Sequence, residues 1–262
     1  MKDLAPLLGT SLILVAHPDD EVIGFGGLMQ RMSRPIVVFS TDGAPRDRHF
    51  WKDYGSRENY AAVRRREARE ALSLTGAERV FLADHTPGGI ADQELFQRLP
   101  DAITTFDQIV AEVRPDALLT LAYEGGHPDH DAACFMAFIT GRRTGIPVWE
   151  APLYHRRQDG ASATQTFPTY TGQERLYSVR GDALDKKIGM LAAYPSQELV
   201  LSAFRPEVEQ FRPLADYDFT RPPLPWKLNY EHWQWPMTGE DVASEFRRYL
   251  SSYRERKSLL IA

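Results

Sequence analysis

Apolar residues along this chain fall into short continuous runs separated by longer stretches at helical spacing. Residues 12–16 (Leu-Ile-Leu-Val-Ala), 36–39, 80–82, 117–121 and a run opening at Ile146 have the length and composition of buried strands. Between them, residues 24–32, 57–74, 103–113 and 132–143 carry apolar side chains at helical spacing, which predicts helices. Thr75-Gly76 offers a C-cap to the second helix, and Arg114-Pro115 stops the third. Such alternation implies a parallel sheet covered on both faces, a Rossmann-like doubly wound α/β core over about residues 1–155.

The remaining residues read differently. A strand near 175–179, a helix over 183–193 and a closing helix over 239–255 flank a stretch rich in proline and aromatics, including Pro206, Pro213, Pro222, Trp226, Trp233 and Trp235. So many large aromatics argue against a disordered linker and predict irregular chain packed on the core or on another subunit. The segment from Trp226 to Trp235 is thus a candidate lid or contact surface between copies of a homo-oligomer. The chain is read as one domain, 1–262, with a C-terminal elaboration over about 156–262.

Composition narrows the functional classes. The formal net charge is −5, which does not suit a polyanion partner such as nucleic acid. The densest basic run, Arg64-Arg65-Arg66, is interleaved with Glu58, Glu67 and Glu70, as on a solvated helix face. No apolar run approaches membrane-spanning length and the first residues do not resemble a secretion signal, so no membrane partner and a cytoplasmic location are expected. The single cysteine, Cys134, excludes an internal disulfide or a cysteine-rich zinc site, and its place in an apolar helical pattern assigns it to the core. A metal here has to sit on His, Asp and Glu.

In open α/β sheets, ligands bind beyond the carboxyl ends of the strands. The first strand runs into His17-Pro18-Asp19-Asp20-Glu21, the second into Ser40-Thr41-Asp42-Gly43, and the fourth into Tyr123-Glu124-Gly125-Gly126-His127-Pro128-Asp129-His130. Each motif alone is also compatible with a turn or a helix N-terminus. Together, on strands that adjoin in the usual winding order, they converge histidines and carboxylates on one sheet edge. Two imidazoles and a carboxylate form a facial three-ligand set with open positions, suited to zinc (Zn2+) or ferrous iron (Fe2+). A second carboxylate beside it is placed to accept a proton from water. Gly24-Phe25-Gly26-Gly27 follows carboxylates that would repel a pyrophosphate, so these glycines are assigned to close packing rather than to a dinucleotide site.

The motif Ala16-His17-Pro18-Asp19-Asp20-Glu21, with His127-Pro128-Asp129-His130 in order behind it, resembles the PIG-L/LmbE-like family of zinc-dependent N-acetylglucosaminyl deacetylases. Thr41-Asp42-Gly43, Arg64-Arg65-Arg66-Glu67, Gly89-Ile90-Ala91-Asp92 and Pro115-Asp116 agree further, so the resemblance covers about residues 10–150. It implies that His17, Asp20 and His130 hold zinc and that Asp19 is the general base. His127 would stabilise the oxyanion and protonate the leaving amine, with Asp129 orienting it. Arg64 would bind substrate, and Asp42 and Asp92 face the site from loops where they could bond sugar hydroxyls. The implied reaction is hydrolysis of an N-acyl amide on a small molecule, an amino sugar above all. A deacylase acting on a thiol conjugate or another non-sugar amide, or a sugar- or metal-binding protein without turnover, are the alternatives.

Overall fold

The computed structural model describes residues 2–259. Its first half is a succession of β1 (Thr10–Val15), α1 (Asp20–Met29), β2 (Arg34–Phe39), α2 (Arg57–Ser73), β3 (Glu78–Phe81), α3 (Leu99–Val113), β4 (Ala117–Leu121), α4 (Pro128–Thr144) and β5 (Val148–Ala151). The second half adds a hairpin of β6 (Tyr154–Arg156) and β7 (Ser162–Thr164), then β8 (Arg175–Ser178), α5 (Asp182–Ala192), α6 (Glu198–Leu201), β9 (Val208–Pro213), α7 (Asn229–His232) and α8 (Gly239–Leu259). The main sheet has seven strands in the order β3-β2-β1-β4-β5-β9-β8. Its first five strands are parallel, as the continuous apolar runs predict. One face packs against α3, α4 and α8 through Phe106, Phe135 and Phe246; the other packs against α1, α2 and α5 through Phe25, Leu72 and Met190.

Two boundaries differ from expectation in a way that matters. Helix α1 begins at Asp20 rather than 24, and α4 at Pro128 rather than 132. The first turns are acidic (Asp20 and Glu21, Asp129 and Asp131), so apolar periodicity does not see them, although carboxylates at a helix N-terminus are favoured by the free N–H groups there. Asp20, Asp129 and His130 therefore sit on the opening turns of two helices, with Asp19 and His127 as the residues that precede them.

The proline-rich stretch is not wholly irregular. Val208–Pro213 forms β9, which pairs antiparallel with both β5 and β8 and extends the sheet by two strands. Its buried positions include Glu209 and Arg212, and such charges conceal a strand from a hydrophobicity pattern. Both charges are paired. Arg212 Nε donates to Glu150 at 2.6 Å, and Lys187 Nζ donates to Glu209 at 2.6 Å and to the Ile23 carbonyl at 3.0 Å. Glu209 also accepts from the Gly27 and Leu28 N–H groups in α1. A Cβ on Gly27 would lie 2.3 Å from Val179, so the glycine permits this close approach, as the sequence suggested. Cys134 is buried, as expected.

The Lys187–Glu209 pair makes a direct prediction. Glu209→Ala strands a buried ammonium and two backbone N–H groups, and should lower unfolding free energy by roughly 3–5 kcal/mol. Urea denaturation checks this, and a change within ±0.5 kcal/mol, the usual range for a surface site, would contradict it.

Candidate active site

Strands β1 and β4 pair directly, Leu12 opposite Leu118, so the segments leaving them emerge side by side. After β1, the chain turns sharply at Asp19, whose φ of 132° is rare for any residue with a side chain. Its environment holds it there. The Asp19 N–H donates to Glu21 Oε2 at 2.9 Å, and the Asp19 carboxylate lies 3.2 Å from Arg64 Nη2. Arg64 also donates to the carbonyls of Pro18 (2.5 Å) and Gly43 (2.9 Å). Arg64 is only 4% exposed, which corrects the expectation of a uniformly solvated basic face. Its neighbours do face outward, Arg65 pairing with Asp84 and Arg66 with Glu70.

After β4, a glycine pair precedes the N-cap of α4. A Cβ on Gly126 would lie 2.0 Å from the Tyr154 carbonyl oxygen, so only glycine lets the loop pass there. His127 is the N-cap, its Nδ1 accepting from the Asp129 N–H at 3.1 Å. That hydrogen bond assigns the ring proton to Nε2, which lies 3.3 Å from Asp92 Oδ1. Asp131 fixes the loop by accepting from the N–H groups of Glu124 and Gly125.

Three donor groups meet between the two segments. His17 Nδ1 is 3.3 Å from His130 Nε2 and 3.5 Å from Asp20 Oδ2, while Asp20 Oδ1 is 3.2 Å from His130 Nε2. A tetrahedral ion with ligand distances of about 2.0–2.1 Å has edges of about 3.4 Å. The donor set therefore fits a divalent cation. The buried His130 Nδ1 has no protein partner. On the far side of its ring, His17 Nε2 lies 3.3 Å from both Asp129 and Asp92, the carboxylate support common behind a ligating histidine. Donor atoms of His17, His127 and His130 also lie within 4.8 Å of one another, and those of His17, Asp92, His127 and Asp129 form a further such group.

The electrostatics agree with this geometry. Burial pulls the His17 pKa down, but Asp92, Asp129 and Asp20 outweigh it and raise it well above the usual value. A pocket that stabilises a proton so strongly also favours a cation that replaces it. Against its own burial, Asp20 is held below the usual carboxylate range by His130 and His17. Burial pushes Asp19 up to about 7, opposed by Arg64. His127 is lowered by burial and by His17, which keeps its imidazole neutral.

The other expected residues fall as follows. The Asp129 carboxylate accepts from the Gln93 (2.6 Å) and Leu95 (3.0 Å) N–H groups and faces His17. It is 4.0 Å from His127 Nδ1, which Asp129 meets through its backbone N–H, while its carboxylate lies 3.3 Å from His17 Nε2. Asp92 faces the histidines. Asp42 is paired with Arg57 at 2.6 Å and with the Ala44 N–H, and so organises its loop.

Several supporting residues carried no assigned role in the sequence. Glu21 is fully buried and hydrogen-bonded by the Tyr194 hydroxyl; burial raises its carboxyl to about 8. Glu67 accepts from the Ser196 N–H and hydroxyl, and Gln197 donates to the Tyr60 hydroxyl. The segment Tyr194-Pro195-Ser196-Gln197 thus fastens α1 and α2 from beneath Asp19. Its one trace in the sequence is a polar cluster directly after an apolar helix. Among the described residues, no helix is long and apolar enough to cross a membrane.

The segments that build this site are similar to known proteins. Residues 12–139 match the PIG-L family model, described as GlcNAc-PI de-N-acetylase. The matched residues include both the His17–Glu21 and the His127–His130 motifs. A probable N-acetyl-alpha-D-glucosaminyl L-malate deacetylase 2 of Bacillus cereus is 24% identical over 192 residues, covering 71% of this chain and 82% of the relative. A 1D-myo-inositol 2-acetamido-2-deoxy-alpha-D-glucopyranoside deacetylase of Corynebacterium diphtheriae is 26% identical over 192 residues, covering 64% of each. Among solved structures, a deacetylase of teicoplanin biosynthesis superposes with a TM-score of 0.62 at 18% identity, over 80% of this chain and 99% of that one. That similarity extends the shared fold through much of the C-terminal elaboration.

Tyr194→Phe tests the underside of the site. It leaves a Glu21 oxygen buried without its donor and should cost about 1–3 kcal/mol of stability by chemical denaturation. An unchanged midpoint and slope would show that this hydroxyl does not hold Glu21.

Proposed function

We propose that the protein is a divalent-metal-dependent N-deacetylase that releases acetate from an N-acetylated amino-sugar substrate. The observation that carries this reading is the triad of His17 Nδ1, His130 Nε2 and the Asp20 carboxylate at tetrahedral-edge spacing, with Asp19 beside it. Those three residues would hold the metal. Zinc suits two nitrogens and one oxygen, and ferrous iron accepts the same set. When bound, such an ion polarises the acyl carbonyl and lowers the pKa of water toward about 7.

The remaining chemistry belongs to the chain. Asp19 accepts the proton of the attacking water, with a pKa of about 7 that matches a base working near neutrality. Arg64 keeps the Asp19 carboxylate aimed by also gripping the Pro18 and Gly43 carbonyls. The neutral His127 presents Nε2–H to the oxygen that gains charge as the carbonyl carbon becomes tetrahedral. Collapse breaks the C–N bond as the proton that Asp19 accepted passes to the departing nitrogen, while the neutral His127 keeps its Nε2–H on the oxygen, and acetate and a free amine result. Asp129 steadies His17, and Asp92 stands where a substrate hydroxyl enters. Asp42 and Arg64 contribute to substrate binding by shaping the loops they hold.

Metal titration with an acetate-release assay tests this. The metal-free protein should take up one equivalent of zinc and release acetate from an N-acetylglucosamine derivative. Asp20→Ala and His130→Ala should lose both metal and turnover. Asp19→Ala should retain zinc while kcat falls about 10²–10⁴-fold. Full activity in Asp19→Ala, or undiminished zinc affinity in Asp20→Ala, would sink the assignment.

A further inference from the structure

A cleft of about 920 Å³ opens from Asp92, on the floor beside His17 and His127, to the surface. Its far wall is the turn after α7, which carries Trp233, Gln234 and Trp235. The Trp235 ring meets the His127 ring edge-on at 4.9 Å, Trp233 follows at 5.1 Å from Trp235, and Tyr154 lies 6.3 Å beyond. Phe50 lines the same cleft. Trp233 is 46% exposed and Phe50 37%, so both offer open ring surface.

The turn is fixed to the catalytic loop. The Asn229 N–H donates to the Gly125 carbonyl and its side chain to the Gly126 carbonyl, two residues and one residue before His127. The Trp235 N–H donates to the Tyr230 carbonyl, and Gln234, between the two tryptophans, sits at φ 59°. A non-glycine residue in that region costs free energy, which the surrounding contacts offset.

The charges of the cleft are already matched. Arg46 pairs with Glu94 and Arg248 with Glu245, and Asp47, Asp92 and Asp241 leave carboxylates in excess over cations. Among the described residues lining the cleft away from the histidines, both arginines are paired and carboxylates exceed cations, so an aglycone carrying negative charge is disfavoured there. The volume lies near the upper end of ligand sites, roughly 300–1,000 Å³, more than an N-acetylated monosaccharide fills.

We infer that the Trp233–Trp235 turn is the specificity-determining wall of an aglycone subsite, and that the substrate is a glycoside whose aglycone is uncharged, flat and apolar. This rests on the deacetylase reading of the adjoining site. The sugar places its acetamido group at His17 and His127, while the aglycone stacks on Trp233 and Trp235 and excludes water from the reacting bond.

Zinc-loaded protein would be assayed with free N-acetylglucosamine, both anomers of its phenyl glycoside, and N-acetylglucosamine 1-phosphate. The wall predicts a preference of about tenfold or more in kcat/KM for a phenyl glycoside over the free sugar, carried by KM, with the phosphate poorest. Trp233→Ala should collapse that ratio toward one, whereas Trp233→Phe should keep most of it. A wild-type preference for the phosphate, no aryl preference, or a ratio that survives in Trp233→Ala and Trp235→Ala overturns the inference. Indole fluorescence titrated with phenyl glucosaminide, the amine product, reads binding without turnover. Trp233-dependent quenching without acetate release would keep the subsite and remove the deacetylase reading. Acetate release from the free sugar with no aryl preference would do the reverse. Quenching that follows protein concentration instead of ligand would assign the indoles to contact between copies and overturn the subsite.

Discussion

The parallel pairing of β1 with β4 sets up every feature of the site. With Leu12 opposite Leu118, the strands deliver His17, Asp19 and Asp20 from one side and His127, Asp129 and His130 from the other, more than a hundred residues later in the chain. Neither motif is complete without its neighbour, because the donor triangle takes two corners from β1–α1 and one from α4. Each set is mounted on the first turn of a helix. There the partly positive helix end favours carboxylates and the helix itself fixes the direction of each side chain.

A second constraint acts on the local backbone. Asp19 occupies a conformation that its own side chain disfavours, and three layers keep it there. Glu21 holds its N–H, Arg64 holds its carboxylate, and Tyr194 secures Glu21 from the turn that follows α5. Ser196 and Gln197 fasten α2, on which Arg64 rides. The C-terminal part of the chain is therefore structural support for the site as well as its outer wall. The residues after α5 thus support a candidate site whose metal-ligating and catalytic candidates all lie in the first half.

Much of this was legible in the sequence, for physical reasons. The strands β1, β2 and β4 are buried on both faces, so they appear as unbroken apolar runs, and the polar residues that end them stand out. The His/Asp chemistry followed from that placement. What stayed hidden depends on charges that are buried and paired. Strand β9 carries Glu209 and Arg212 inward, and Arg64 looks like its solvated neighbours Arg65 and Arg66 until the fold places Pro18, Gly43 and Asp19 around it. The role of Tyr194 and Ser196 depends on contacts 173 and 129 residues distant, which no local pattern encodes. The tryptophans were visible as unusual, but their position over His127 follows from α7 docking on the β4–α4 loop.

The central claim is that the cation sits between β1–α1 and α4 in the triangle of His17, Asp20 and His130. Anomalous diffraction from zinc-loaded crystals tests it most directly. The account predicts a single peak about 2.0–2.1 Å from His17 Nδ1, His130 Nε2 and one Asp20 oxygen, with His127 and Asp92 outside bonding distance. A peak centred instead among His127, Asp92 and Asp129, on the other side of the His17 ring, would contradict it.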